Sequence, residues 1–476
     1  MTVTAKELVG KFAEAVAVGD AAVFIGAGTS VGAGLPDWNT LIDEARKTAR
    51  VPCELTDAPL AAQYIANADG EGALHASIKR MIDIPAAPTE VHRALSHLPI
   101  RDYWTTNYDL LIEEALEARQ VDFQWVVGEQ DYATRPAAGT RAKRVTKMHG
   151  SLTRGETGFR NWKAAPIITR SDFERFEELH PITWMRLRAS WLTNSFLFLG
   201  LSFDDPNLNL LLRLSRSLPE HIDAPPHYVV FTAKSDPVEH RLQQLRIDDL
   251  EHSGVNVHMM DSYSDLPILL SRLEVRCRPE LLFVSGSFDM DDKSEAGRLT
   301  KQVAQSLAVA LSGMDQVIRP NLVSFGGPAG QVVSRHFRDA LSPSEYRPEL
   351  VRFYYRKAVS GDESIPVDHR VGTAIFTERS LDEMRDFVFP QIRALVVIGG
   401  GARTEEEVAR AQDHGVLVVP IGVTGGAARR IWDRLSPGSI GLNTGDELAW
   451  WGQLGSGSAT LAAHAASKLI KRLMFE

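Results

Sequence analysis

The sequence predicts an α/β protein with two successive domains, each built on a parallel β-sheet. Short apolar runs alternate with longer amphipathic segments from end to end, the rhythm of strand and helix layers. Several of those runs stop at glycine, as Val23-Phe24-Ile25-Gly26 and Val397-Ile398-Gly399 do, and ligands of open α/β sheets bind at such strand ends. The length of 476 residues suits two or three domains of about 100–200 residues each.

In the first half, strands are expected over 21–25, 103–106, 195–199, 227–231 and 255–259, with helices over 40–49, 109–118 and 207–214 between them. The rhythm restarts after residue 280: a strand over 281–285, a long helix over 293–311, then strands over 323–325, 350–354, 373–376, 395–398 and 416–421. The joint Arg276-Cys277-Arg278-Pro279 is short and carries a proline, so the expected domains are 1–278 and 279–476. No short repeat and no low-complexity tract interrupts them.

Composition narrows the function classes. With 44% hydrophobic and 24% charged residues, the chain does not fit the disordered, collagen or coiled-coil classes. A net charge of −9 (52 Lys and Arg against 61 Asp and Glu) gives no global attraction to nucleic acid or to anionic membrane. Cys53 and Cys277 are too few for a disulfide framework or a tetrahedral zinc site, so no metal is expected. The first residues lack the basic-then-apolar pattern of a signal peptide. Apolar runs such as Phe196-Leu197-Phe198-Leu199 fall far short of the roughly 20 residues of a membrane span. A cytoplasmic protein is expected. The basic cluster Arg141-Ala142-Lys143-Arg144 with Lys147 reads as a solvated loop, and Trp450-Trp451 and the helical pattern over 461–473 read as packing surfaces.

The first glycine loop, Gly26-Ala27-Gly28-Thr29-Ser30, follows a buried strand. Its glycines would let backbone approach a phosphate closely, with Thr29 and Ser30 supplying hydroxyls and amides. A Gly-rich segment from Gly32 to Asn39 follows as a lid, and a helix is expected to start at Thr40, capped by Asn39 or Thr40, with Asp43 in its first turn. Asn107, just past the second strand, could orient a ligand or simply cap the next helix through an Asx-turn. His149 before Gly150 could be a base near neutral pH or a turn residue.

These segments resemble the sirtuin superfamily. The match runs through Gly26-Ala27-Gly28-Thr29-Ser30, Gly34-Leu35-Pro36-Asp37-Trp38, Thr105-Thr106-Asn107-Tyr108-Asp109, Lys147-Met148-His149-Gly150-Ser151 and Gly200-Leu201-Ser202, over roughly residues 8–275. The resemblance implies NAD as substrate, held by Gly26, Ala27, Gly28, Thr29, Ser30, Asp37, Gly200 and Ser202. It implies catalytic roles for Asn107 (orienting water or a ribose hydroxyl), Asp109 (accepting from the nicotinamide carboxamide) and His149 (base on a ribose hydroxyl or on water). Nicotinamide leaves neutral and needs no general acid, so a placed nucleophile and stabilisation of the sugar's developing charge carry the catalysis. The chain departs from the family's protein deacylases in lacking their four-cysteine zinc module and in having Asn39 where they usually have Arg. Water then becomes the expected acceptor, giving NAD glycohydrolysis to nicotinamide and ADP-ribose. An NAD-dependent protein deacylase and a non-catalytic nucleotide-sensing scaffold are the alternatives.

The second half resembles the SLOG family of Rossmann-like nucleotide-sensing proteins, through Ser285-Gly286-Ser287, Gly326-Gly327 and Val397-Ile398-Gly399-Gly400-Gly401 with Glu405-Glu406-Glu407. The implied activator site comprises Ser285, Gly286, Ser287, Gly326, Gly327, Arg379, Gly399, Gly400, Arg403 and Glu407. The fold class is therefore two Rossmann-like parallel-sheet domains, sirtuin-like and then SLOG-like. That order resembles an effector family of the bacterial Thoeris anti-phage system. The resemblance implies a homo-oligomer, commonly a tetramer, activated by a cyclic ADP-ribose isomer that a TIR-domain protein makes.

Overall fold

The computed structural model describes residues 2–52, 54–134, 142–203, 205–217, 224–356 and 371–475. Cys53 and Arg141 lie outside the described residues. The chain divides into two compact units, Met1–Cys277 and Arg278–Glu476.

In the first unit the described residues form a seven-stranded, all-parallel sheet. Its strands are β1 (Ala21–Ile25), β2 (Asp102–Thr105), β3 (Phe123–Val126), β4 (Lys143–Lys147), β7 (Ser195–Leu199), β8 (His227–Thr232) and β9 (Val255–Met260), in the order β3-β4-β2-β1-β7-β8-β9. A separate antiparallel pair joins β5 (Ser151–Leu152) to β6 (Trp162–Ala164). Both faces of the main sheet are covered, which is why β1 and β7 are continuous apolar runs. Val23, Ile25, Leu197 and Leu199 enter one core, and Ala22, Phe24, Phe196 and Phe198 enter the opposite one. Helices Trp38–Ala49, Ala58–Asp69 and Glu71–Ile82 pack a further cluster of their own around Ile42, Ile65 and Ile78, with Tyr108 and Leu152.

Two expectations are corrected here. The basic segment around Lys143 is not a solvated loop but the buried strand β4. Lys143, Val145 and Lys147 share one face of it and are 9, 0 and 2% exposed. Their stems pack as apolar side chains while each ammonium finds fixed acceptors. Lys143 Nζ donates to the Leu98 and Ile100 carbonyls and to Tyr103 Oη. Lys147 Nζ donates to the Asp109 carbonyl and pairs with Glu113 at 3.3 Å. The second correction concerns the helix after the glycine loop. It starts at Trp38, and its cap is Asp37, whose Oδ1 accepts from Thr40 N at 2.8 Å, not Asn39 or Thr40.

The second unit carries a six-stranded parallel sheet in its described residues, ordered β13-β12-β11-β10-β14-β15. The strands are β10 (Leu281–Ser285), β11 (Asn321–Ser324), β12 (Val351–Arg356), β13 (Thr373–Thr377), β14 (Ala394–Val397) and β15 (Leu417–Pro420). Alternate residues again serve two cores: Leu282 and Val396 one side, Phe283 and Leu395 the other. Helix Ala459–Phe475 closes the first of these with Ala462, Ala466, Leu469 and Ile470, and Trp451 packs with it. Both units are thus Rossmann-like parallel sheets. In each, the first strand is central and chain order reverses beside it, between β1 and β7 and between β10 and β14, the place where such folds bind ligands.

Candidate active site and nucleotide cleft

Strand register assembles the first site. Leu199, Ile25, Thr105 and Lys147 are mutually aligned at the carboxyl ends of β7, β1, β2 and β4. Gly200 and Gly26 follow directly on their strands, and Asn107 and His149 each stand two residues past theirs. Four segments distant in sequence therefore emerge side by side from one sheet edge.

The glycine loop turns tightly through two short 3₁₀ segments, Ala27–Thr29 and Val31–Ala33. Its glycines serve first to let two backbones cross. Gly28 N donates to Gly200 O at 3.0 Å. Gly200 has φ +67°, and a Cβ there would stand 2.6 Å from Thr29 N, while one on Gly28 would stand 2.8 Å from Gly200 Cα. The hydroxyls of Thr29 and Ser30 are likewise used internally: Thr29 Oγ1 donates to Gly26 O at 2.8 Å and Ser30 Oγ to Asp109 Oδ2 at 2.9 Å. Asp37, as a helix cap, and Ser202 are exposed.

Asn107 does not cap the following helix. Its Nδ2 donates to Gly26 O at 3.1 Å and to Ser30 Oγ at 3.2 Å, while Asp109 Oδ1 takes Leu111 N at 3.0 Å. Ser30 thus links Asn107 to Asp109, and Lys147 below grips the Asp109 carbonyl. Asn107 is 7% exposed and its Oδ1 is buried without a hydrogen-bond partner. His149 is 2% exposed, and both its ring nitrogens are also buried without one. Phe173 meets the ring edge-on at 5.2 Å, with Trp38 and Phe176 at 6.5 Å. Asp205 Oδ2 stands 3.1 Å from Nε2. Asp205 was not expected in the site, although Asp205-Pro206 is a readable helix start; only the fold brings it to His149. Buried polar atoms without partners at a sheet's switch point call for a polar group to satisfy them, so these residues fit a polar substrate such as NAD.

The second unit holds a cleft of about 560 Å³ at its own switch point. Of the expected residues, Ser285, Gly286, Ser287, Gly327, Arg403 and Glu407 line it. Glu407 is buried, which pushes its carboxyl above the usual range, and its Oε2 accepts from Ser285 Oγ at 2.6 Å. Helix Ala402–Asp413 begins there with Gly401 at its cap, turning amides toward the cleft. Four expected residues stand outside the lining. Arg379 lies over the Phe387 ring at 4.0 Å. Gly326 packs under Tyr355. Gly399 and Gly400 give their carbonyls to Ala428 N and Ala427 N, capping the next helix. Tyr354, Tyr355 and Arg356 from β12 and Phe325 after β11 also line it. The pattern Tyr-Tyr-Arg at a strand end was the available signal.

The first unit is SIR2-like and the second SLOG-like. A SIR2-like domain matches residues 101–252, which hold Asn107, Asp109, His149, Gly200, Ser202 and Asp205, and the Sir2- and TIR-associating SLOG family matches residues 394–445. The chain is ThsA-like in architecture. It is 27% identical over 459 residues to NAD(+) hydrolase ThsA of Cytobacillus dafuensis, covering 90% of this chain and 87% of that one. It is 28% identical over 466 residues to NAD(+) hydrolase ThsA of Enterococcus faecium, covering 90% of each. A further relative, NAD(+) hydrolase ThsA of Acinetobacter baumannii (strain 532279), is 31% identical over 281 residues, 56% of this chain and 55% of that one. Among the described residues no helix is long and apolar enough to cross a membrane, and no group of three or more His, Cys, Asp or Glu is placed to hold a metal.

Proposed function

We propose that this protein is an NAD glycohydrolase of anti-phage defence, switched on when a cyclic ADP-ribose isomer occupies the cleft of its second unit. The observation that carries the first half is the set of orphaned atoms, Asn107 Oδ1 and the two ring nitrogens of His149, at the switch point of a SIR2-like sheet. Similarity along nearly the whole chain to proteins named NAD(+) hydrolase supports it.

In this reading the amide of Asn107, fixed by Gly26 and Ser30, presents its carbonyl oxygen to water or to a ribose hydroxyl. His149 Nδ1 receives the proton released as water adds to the ribose carbon. The electron pair of the broken glycosidic bond leaves with nicotinamide, which departs neutral. Asp109, linked to Ser30, keeps the loop and Asn107 in register. The aromatic wall of Trp38, Phe173 and Phe176 keeps bulk water from His149, which strengthens each polar contact there.

For the second unit, the amides at the start of helix Ala402–Asp413 and the Arg403 and Arg356 side chains supply anion recognition, and Tyr354 and Tyr355 supply ring faces for a base. A TIR-domain protein would make the ligand, and the protein would work as a homo-oligomer, a tetramer by analogy. The test is incubation of the full chain with NAD alone and with cyclic ADP-ribose isomers, products identified by mass spectrometry. Nicotinamide with ADP-ribose, accelerated by one isomer, is expected. Acyl-ADP-ribose formed from an acylated peptide would make the protein a deacylase, and NAD unchanged in every condition would make it a scaffold.

A further inference from the structure

The aromatic side chains around His149 fix the plane of its ring but cannot choose which nitrogen carries the proton. Asp205 can. This carboxylate begins helix Pro206–Arg216 and divides its two oxygens between two tasks. Oδ1 accepts from Asn207 N at 2.7 Å and from Leu208 N at 3.3 Å, so the helix start holds the side chain in place. Oδ2 is turned to His149 Nε2, 3.1 Å away, at ion-pair distance although not yet in line for a hydrogen bond. Such contacts commonly tighten only when substrate is bound. The His149 side chain is 2% and the Asp205 side chain 11% exposed, so little water competes.

We infer that Asp205 is the positioning residue of His149: it holds the proton on Nε2 and leaves Nδ1 as the basic nitrogen. The inference rests on the hydrolase reading only for its catalytic consequence. A carboxylate accepts and cannot donate when ionised, so the nitrogen facing it must carry hydrogen, and the bare lone pair falls to Nδ1. Both ring nitrogens are buried without a hydrogen bond, but Nε2 is the one that faces the Asp205 carboxylate, which leaves Nδ1 to take a proton from elsewhere. When Nδ1 takes the proton from attacking water, the imidazolium forms beside a fixed negative charge. The carboxylate stabilises that cation without becoming protonated.

The cap makes a clean test possible, because Asn and Ser cap helices about as well as Asp. D205N keeps the cap and the shape but can offer an N–H to Nε2, which moves the histidine proton to Nδ1. D205S keeps the cap and cannot reach the ring. For both variants of the full chain, kcat for NAD should fall about 10–100-fold, the effect usual for an outer partner of a reacting group, with KM within about twofold and an unchanged melting temperature. Nitrogen NMR of full-length protein labelled at histidine, with H149Q to assign the resonance, should report hydrogen on Nε2 in the wild type and a changed state in D205N. Wild-type kcat in both variants, or a wild-type tautomer in D205N, would overturn the inference. A wild-type protein that leaves NAD intact would remove the hydrolase reading, while the tautomer measurement would still decide the role of Asp205.

Discussion

Replacing Lys147 with Met removes a cation from beneath the candidate site while keeping most of the side chain's volume. The side chains of Lys147 and Glu113 are 0 and 1% exposed, with their charged ends 3.3 Å apart. Burial pushes the Glu113 carboxyl up, and Lys147 is the largest influence holding it down. Breaking a buried pair by deleting one partner costs about 3–5 kcal/mol, because the other charge stays behind without compensation. For a unit of this size, each kcal/mol moves the melting temperature by about 2–4 °C, so K147M should melt about 6–20 °C lower in scanning calorimetry. The loss has a definite pH dependence. Without Lys147, the folded-state pKa of Glu113 rises still further above its unfolded value. The folded state is then favoured while Glu113 is protonated and loses that advantage as pH rises through the folded pKa. The deficit against wild type should therefore be smaller at pH 5 than at pH 8. Adding E113Q removes the stranded charge, and the double variant should recover most of the loss. A single variant that loses less than about 1 kcal/mol, or a double variant whose loss is the sum of the two singles, would refute the account of β4 as a strand tied down by its lysines.

Other outcomes follow from the same geometry. Asn107→Ala and His149→Ala should each reduce NAD turnover by about 10²–10⁴-fold, the range for losing a positioned base or orienting group, with far-UV circular dichroism unchanged; near-normal turnover in a folded variant would remove that residue from the mechanism. Burial brings the Lys143 ammonium down to about 7, so the unfolded chain binds more protons from about pH 7 to its ordinary value near 10.4. Stability of the wild type should therefore rise with pH across that window and fall back as pH drops through 7, and Lys143→Met should flatten the rise in chemical denaturation. Arg403→Glu should weaken binding of a cyclic ADP-ribose isomer to the full chain in calorimetric titration by tenfold or more, while NAD turnover without activator stays at the wild-type level.

Much of this protein was legible in its sequence because parallel strands buried on both faces are continuous apolar runs. Ala21–Ile25, Ser195–Leu199 and Leu281–Ser285 stand where hydrophobicity alone puts them. Asn107, His149 and the Gly26–Gly28 loop were legible for a different reason: they sit at fixed offsets from strand ends, where chemistry dictates residue type. One strand that escaped, β4, is low in apolar content. Lys143–Lys147 carries a single valine, and its lysines are buried only because acceptors from Leu98, Ile100, Asp109 and Glu113 reach them. Those acceptors come from other segments, so no local pattern announces them. Gly28 and Gly200 show the same limit. A loop glycine reads as room for phosphate, yet tertiary contact assigns these two to the crossing of two backbones. Asp205 is the clearest case. As a helix cap it is determined by its neighbours in sequence, but its second oxygen meets His149 across 56 positions, a distance in sequence that only the folded sheet edge closes.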